Sequence, residues 1–247
     1  MVADVAVNAM RFADLLARVL AAPDAGERLS LHFATAHTIV EAHADARLRE
    51  ALAHGLVQPD GMPLVWLGRR AGLPVERVCG PDFMPAVAAG GVPLGRRHYF
   101  YGGAPGIPEA LAAGLAARHP GLAVAGTMSP PFRALSPGED ADIVARINAA
   151  RPDYVWVGLG APRQDLWVAA HRDVLDAAVL LAVGAAFDFH AGRRRRAPRW
   201  MQRTGTEWLF RLVSEPRRLA GRYTRTNLAF VRLVIAQRLG RRRSAGS

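Results

Sequence analysis

Residues 153–167 read DYVWVGLGAPRQDLW, a short apolar run that leads through a glycine-containing turn into a helical pattern. Residues 154–157 predict a buried strand, and the helix is expected to continue through Trp167. The same order of apolar run and helical pattern recurs along the chain. Five further strands are predicted, at residues 29–34, 56–57, 98–101, 122–125 and 179–183. The alternation predicts an α/β protein with a mostly parallel, Rossmann-like sheet flanked by helices on both faces.

The intervening segments predict the helices and one boundary. Helical patterns cover residues 109–118 and 140–150, and the second is introduced by Ser136 and Pro137. Between residues 192 and 199, a glycine, several arginines and Pro198 interrupt both periodicities. We therefore expect a single α/β catalytic domain over residues 1–192 and a basic helical appendage over residues 193–247.

The composition is that of a folded protein. The chain has 247 residues, of which 51% are hydrophobic and 21% charged, which excludes a disordered or collagen-like chain. Its single cysteine, Cys79, cannot form an internal disulfide, and this predicts a reducing, cytoplasmic compartment. No signal peptide is expected at the start. The longest uncharged apolar run, residues 177–187, is 11 residues long, below the roughly 20 of a membrane-spanning helix.

The charge is strongly segregated along the chain. All 32 basic residues counted as Lys or Arg are arginines, and 16 of them lie in residues 193–247 beside only two acidic residues. The appendage thus carries +14 and residues 1–192 carry −3. A concentrated positive field attracts polyanions, which include nucleic acid, anionic lipid headgroups and a pyrophosphate. A solvated helix face is the ordinary alternative for such a run.

Polar or glycine-rich segments follow five of the predicted strands. They contain Thr35 and His37, then Asp60-Gly61, then Gly102, Gly103 and Gly106, then Gly158, Gly160, Arg163 and Gln164, and finally Asp188 between two phenylalanines. The carboxyl ends of parallel strands share one edge of a sheet, where ligands bind in such folds. The sequence therefore predicts one binding site built from all five segments.

Each segment has a chemical and an ordinary interpretation. Asp60 lies between Pro59 and the apolar residues 62–66, where a partly dry carboxylate with a raised pKa becomes a proton acceptor. Asp-Gly is also a common turn. The turn at Gly102 could hold a diphosphate, although it lacks the G-x-G-x-x-G spacing, and it could equally be a tight turn. Gln164 could cap its helix. Asp188 needs either a partner or a ligand hydroxyl.

Several blocks resemble one family in order and spacing. They are residues 60–66, 77–83, 101–106, 158–164, 184–192, 196–202, 207–212 and 215–218, within a span of about 30 to 223. On these blocks the chain resembles the WecG/TagA/CpsF family of bacterial glycosyltransferases, glycosyltransferase family 26. The resemblance implies an inverting, metal-independent enzyme without a cofactor. Such an enzyme transfers a hexose or N-acetylhexosamine-type sugar from a UDP-sugar to a polyprenyl-diphosphate-linked acceptor at the cytoplasmic leaflet. The products are teichoic acid linkage units and other surface polysaccharides.

The resemblance also assigns roles to residues. Asp60 matches the proposed general base, Thr35 and Gln164 match positions that line the sugar pocket, and Asp188 and the Gly102-Gly103 turn match nucleotide-binding positions. Further substrate contacts are expected from His37, Gly106, Gly160 and Arg163. His37 stands where many relatives have Asn, and an imidazole cannot reproduce an amide's paired donor and acceptor.

The appendage has a role under the same resemblance. Arg211 and Arg218 match basic positions that close over the site, where they would stabilise the UDP leaving group. In residues 226–239, a row of apolar side chains next to arginines predicts a helix that lies on an anionic membrane surface. Packing of this helix on the body or on a second subunit is the alternative, so a homo-oligomer stays open.

Two other classes of function require different sequence features. A nucleic-acid-binding module would use the arginines for phosphates, but it predicts aromatic residues interleaved for base stacking, and the aromatics present sit partly at apolar-face spacing. No nucleic acid is expected as a partner. A nicotinamide-dependent enzyme requires a dinucleotide glycine fingerprint early in the chain, which is absent. The eight scattered histidines show no metal-ligand spacing, so no metal site is assigned.

Overall fold

A computed structural model describes the backbone of residues 1–214 and 216–244. It also describes their side chains, except those at 199, 203, 211, 214, 216–220, 222–224, 238 and 240–244. The strands are β1 (Leu29–Ala34), β2 (Leu56–Pro59), β3 (Arg97–Gly102), β4 (Ala123–Met128), β5 (Tyr154–Gly158) and β6 (Val179–Ala182). The first helices are α1 (Phe12–Ala21), α2 (Ala36–Ala44), α3 (Ala46–Ala53), α4 (Met62–Arg70), α5 (Gly80–Gly91) and α6 (Ile107–Arg118). The later ones are α7 (Pro137–Ala149), α8 (Arg163–His171), α9 (Ala186–His190), α10 (Arg199–Thr204), α11 (Glu207–Ser214) and α12 (Pro216–Ser244).

The six strands form one fully parallel sheet in the order β2-β1-β6-β5-β3-β4. The predicted α/β fold and parallel sheet are confirmed. Each predicted strand exists, although β4 extends to Met128 and β2 extends to Pro59. At the centre of the sheet, Trp156 of β5 pairs in register with Phe100 on one side and Leu181 on the other.

Side chains alternate between the two faces of the sheet, as the two-residue period of a strand requires. Trp156 and Leu181 pack with α1, α5, α6 and α9 on one face. Val155 and Val157 pack with α7 and α8 on the other. The strands in the middle of the sheet are therefore covered on both faces, which explains their continuous apolar runs.

The predicted helix start at Ser136 has the expected cap. Its side chain accepts a hydrogen bond from the backbone N–H of Glu139, and Glu139 in turn accepts one from the backbone N–H of Ser136. This reciprocal arrangement satisfies two backbone donors that a helix start otherwise leaves unpaired.

The helical part of the predicted appendage packs on the body of the protein. α12 lies against α2, and its Phe230 is buried in a cluster with Ile39 and Leu48. The opposite side of α12 exposes four apolar side chains, Leu228, Val231, Ile235 and Leu239. Of the two interpretations of residues 226–239, packing on the body is confirmed, and contact of the opposite face with a membrane stays a prediction. The division of the chain at residue 192 stays a prediction.

In the described part of the chain, none of the helices combines the length and the apolarity that crossing a bilayer requires.

Candidate functional site

The parallel sheet places the carboxyl ends of all six strands on one edge. From β1 the chain passes to α2, which packs on one face, and from the neighbouring β6 it passes to α9, which packs on the other. Segments that diverge in this way leave a crevice between the strand ends, which is the usual ligand site of an open α/β sheet. The five segments predicted to converge do end at this edge.

The turn after β3 lies directly against the turn after β5. Gly103 donates its backbone N–H to the carbonyl of Gly158 at 3.0 Å. Gly102 has a φ of 128°, and a Cβ there would lie 2.6 Å from the carbonyl carbon of Gly158, so only glycine fits. Gly106 caps α6, whose N-terminus therefore opens at the site edge. The residues after β3 thus form the tight turn of one interpretation. They also present the positive N-terminus of α6, which the diphosphate-binding interpretation requires.

Gln164 fastens the turn after β5 to the neighbouring strand. Its Oε1 accepts from the backbone N–H of Gly160 at 3.1 Å, and its Nε2 donates to the carbonyl of Ala182 at 3.0 Å. The side chain is buried. Both ends of the amide are thus bonded to backbone, which gives Gln164 a positioning role for this turn. Arg163, next to it, is exposed at the first position of α8.

A buried hydrogen bond that the sequence did not reveal supports the same helix. Asp165 of α8 accepts it from Nδ1 of His32 in β1 at 2.8 Å, and both side chains are almost fully buried. The pair ties the start of α8 to the strand that leads to Thr35. The available signal was a histidine in the middle of an apolar run that the fold buries.

Asp60 follows β2 and is held by a neighbouring guanidinium. Arg77 donates from Nε to the backbone carbonyl of Asp60 at 2.6 Å and from Nη2 to its Oδ1 at 3.2 Å. The same Nη2 donates to Oε2 of Glu207 in α11 at 2.8 Å. Burial alone would lower the pKa of Arg77, but the neighbouring acidic groups, among them Asp60 and Glu207, raise it above the ordinary value. The guanidinium of Arg77 thus fixes the position of the Asp60 carboxylate at the edge of the sheet.

Thr35 and His37 lie at the start of α2, directly after β1. The backbone N–H of Asp60 donates to the carbonyl of Ala34 at 2.9 Å, which joins the ends of β1 and β2. Thr35 is the N-cap of α2 in a reciprocal pair with Thr38. His37 contacts Glu41 at 3.2 Å and the hydroxyl of Thr226 in α12 at 3.3 Å. His37 therefore joins α2 to α12.

Asp188 has the partner that its position demanded. Its carboxylate lies 3.2 Å from Nε of Arg194, and it is about 29% exposed. The ring of Phe187 before it lies under the turn after β3: a Cβ at Gly103 would lie 3.5 Å from that ring. The residue before Asp188 thus packs against the turn after β3.

A second ion pair ties the start of the appendage to the body. Arg196 donates to both carboxylate oxygens of Asp82, and the thiol of Cys79 donates to Asp82 at 2.9 Å. Burial alone would raise the pKa of Asp82, but these hydrogen bonds hold it below its ordinary value. Burial raises the pKa of the Cys79 thiol, so the thiol stays protonated and acts as a donor. The pair fixes residue 196 against α5.

The side chains of Arg211 and Arg218, which were expected to close over the site, lie outside the described residues. Within residues 1–214 and 216–244, the described side chains form no group of three or more His, Cys, Asp or Glu that could hold a metal ion.

The model of the glycosyl transferase WecG/TagA/CpsF family matches residues 1–244. A relative from Bacillus spizizenii strain W23, named N-acetylglucosaminyldiphosphoundecaprenol N-acetyl-beta-D-mannosaminyltransferase, is 28% identical over 163 residues, which are 66% of this chain and 62% of that protein. A protein of the same name from Bacillus subtilis strain 168 is 29% identical over 164 residues, 65% of this chain and 61% of the relative. One from Staphylococcus aureus strain MW2 is 33% identical over 81 residues, about a third of each chain. The chain thus matches less than two thirds of the length of these relatives.

Proposed function

The chain belongs to the glycosyl transferase WecG/TagA/CpsF family, and from this premise we propose that it is a UDP-sugar-dependent glycosyltransferase. It transfers a hexose or N-acetylhexosamine-type sugar to a polyprenyl-diphosphate-linked acceptor in the synthesis of a cell-surface polymer. The names of its relatives support this acceptor class, because they describe a diphosphoundecaprenol-linked N-acetylglucosamine. The observation that carries the proposal is the Asp60 carboxylate, held by Arg77 at the carboxyl edge of the sheet.

The nucleotide end of the donor binds at the turn after β3. The backbone there and the N-terminus of α6 suit the diphosphate, because helix N-termini attract anions. The carboxylate of Asp188, which follows β6 at the same edge of the sheet, can accept a hydrogen bond from a hydroxyl of the nucleoside. Gln164 keeps the facing turn in place, with Gly160 and Arg163 at its rim.

The proposed reaction is a single displacement. Asp60 accepts the proton of the acceptor hydroxyl while the oxygen forms a bond to the anomeric carbon of the donor sugar. The bond from that carbon to the β-phosphate oxygen breaks, and UDP leaves with the electron pair. Because the nucleophile enters opposite the leaving group, the configuration inverts. Arg211 and Arg218 are proposed to stabilise the charge that develops on the diphosphate, so that no metal is required.

The lipid-linked acceptor implies work at a membrane surface. We propose that the enzyme acts in the cytoplasm, bound peripherally to the inner face of the cell membrane. The exposed apolar row of α12, which contains Val231 and Ile235, and the arginines around it are suited to an anionic bilayer surface. Each arginine near such a surface adds about 1 kcal/mol of attraction, which salt weakens.

Substitution of Asp60 by asparagine tests the base. The amide keeps the size of the side chain but cannot take the proton, so turnover should fall by about 10²- to 10⁴-fold. The affinity for UDP, measured by calorimetry, should change less than twofold. Asp173→Asn is the matched control, because Asp173 is exposed in the segment before β6, at the opposite edge of the sheet. Unchanged turnover in the Asp60 variant would remove the proposed role.

A further inference from the structure

A groove of about 490 Å³ lies at the β2 end of the sheet, between α4, α12 and the N-terminal segment. Its volume falls within the usual range of small-molecule sites. The wall from α4 contains Leu64, Leu67 and Ala71, which the helical period places on one face. Val7 and Val234 contribute apolar surface from the other two walls.

The polar side chains of the groove are already bonded within the protein. Asn8 accepts from the backbone N–H of Val57 at 2.7 Å. Gln237 accepts from the backbone N–H of Ala3 at 3.1 Å and donates to the carbonyl of Met1 at 3.2 Å. What these residues leave toward the groove is mainly apolar surface. Arg70 is the one charged residue in the lining, as far as the described residues go, so the local charge is positive.

The wall from α4 begins next to Asp60, and α12 contacts the site edge through Thr226. The N-cap of α4 is Gly61, which directly follows Asp60, and Leu64 lies about one helical turn further on. In α12, Thr226 contacts His37 at the site edge, whereas Val234 lies about two turns beyond it. The groove therefore continues from the site edge along the side of the molecule. The outer side of α12 there carries the exposed Val231 and Ile235.

We propose that this groove binds the first isoprenoid units of the acceptor's polyprenyl chain. The proposal rests on the function proposed above. An acceptor of that class has its sugar at Asp60, its diphosphate next, and then hydrocarbon, and the groove begins at Leu64, about one helical turn beyond Asp60. The apolar side chains along α4 and the single cation of the described lining suit an anionic isoprenoid amphiphile.

The test compares two soluble acceptors that carry the same diphosphate-linked N-acetylglucosamine, one on a methyl group and one on a farnesyl chain. Neither needs a vesicle, so membrane binding does not enter the result. The farnesyl acceptor should show a KM at least tenfold lower, since each buried methylene contributes about fourfold in affinity. Ala71→Trp, which fills the exposed end of the groove, and Leu67→Asp, which makes its wall polar, should remove most of this difference. The KM of the methyl acceptor and of the donor should stay within twofold.

Ala113→Trp is the matched control, because Ala113 is exposed on α6, which packs on the opposite face of the sheet. It should keep the full preference for farnesyl. Thermal melting of each variant checks that the fold is retained. If Leu67→Asp unfolds the protein, Ala71→Trp still tests the groove, because its new ring lies at an exposed position. Equal KM values for the two acceptors in the unmodified protein, or an equal change of both in Ala71→Trp, would overturn the groove proposal while leaving the transferase function standing.

A second measurement works without turnover. Farnesyl diphosphate that carries a photoreactive group on its terminal isoprene is irradiated with the protein, and the labelled peptide is identified by mass spectrometry. Labelling within residues 64–71 that is reduced in Ala71→Trp and not in Ala113→Trp would support the groove. This holds even if no acceptor is glycosylated, because the lack of glycosylation would refute only the proposed function. Labelling spread over the surface, or unaffected by Ala71→Trp, would refute the groove.

Discussion

Replacing Arg77 by methionine should loosen the attachment of α11 to the body and disturb Asp60 at the same time. Arg77 makes two hydrogen bonds to Asp60 and one to Glu207, and the side chains of all three residues are only about 16–24% exposed. Removing one partner of a buried ion pair costs about 3–5 kcal/mol, and the partial exposure reduces this to about 2–4 kcal/mol of unfolding free energy. Two carboxylates would then face each other without their shared cation.

The assay is urea unfolding of four proteins: the unmodified chain, Arg77→Met, Glu207→Gln and the double variant. Because Arg77 bonds directly to Glu207, the double-variant cycle should give a coupling free energy of about 1–2 kcal/mol. The rate of sugar transfer should also fall in Arg77→Met, since Asp60 would lose the two hydrogen bonds from Arg77 that position it. Arg133→Met is the control, because its ion pair with Glu139 is exposed and should contribute little. Additive effects of the two substitutions on the free energy of unfolding, with an unchanged rate of sugar transfer in Arg77→Met, would refute the network.

Three further predictions concern separate parts of the molecule. Burial lowers the pKa of His98 to about 4 and keeps its ring neutral beside Trp156. As the pH falls, the unfolded chain therefore takes up this proton before the folded chain does, and the free energy of unfolding should fall by about 3 kcal/mol between pH 6.5 and pH 4. Denaturant titrations of His98→Phe should show a smaller fall in the free energy of unfolding over the same range. Val231→Glu with Ile235→Glu should abolish sedimentation with anionic vesicles, whereas Val174→Glu, an exposed control away from α12, should not; vesicle binding that survives would locate the membrane contact elsewhere. A chelator should leave sugar transfer unchanged, and rescue of a chelated sample by a divalent cation would contradict the metal-free mechanism.

The strands and the edge they share could be predicted from sequence because both depend on local pattern. Apolar runs such as residues 154–157 are buried on both faces, and the polar residues after them must lie beyond the strand ends. The strand order could not be predicted, because nothing near β6 in the sequence indicates that it lies between β1 and β5. Contacts between distant residues such as Arg77 and Glu207 leave no local periodicity for the same reason.

Roles of individual side chains were less predictable than their positions. Gln164 was expected to touch the sugar, and the structure shows both ends of its amide bonded to backbone. Thr35 likewise uses its hydroxyl in the cap of α2. Residue type and spacing indicate what a group can bond, but not which of its possible partners the fold brings within reach. His37 next to Thr226 is a further example, since the partner lies 189 positions away.

Mass spectrometry of a single reaction tests the central claim most directly, namely that Asp60 at the carboxyl edge of the sheet drives sugar transfer to a lipid-linked acceptor. Purified protein is incubated with a panel of UDP-sugars and farnesyl-diphosphate-linked N-acetylglucosamine, beside Asp60→Asn at equal concentration. The unmodified protein should convert the acceptor to a product heavier by one sugar residue and release UDP with at least one donor, and Asp60→Asn should form that product at least 100-fold more slowly. No product with any donor, or equal rates from the two proteins, would contradict it.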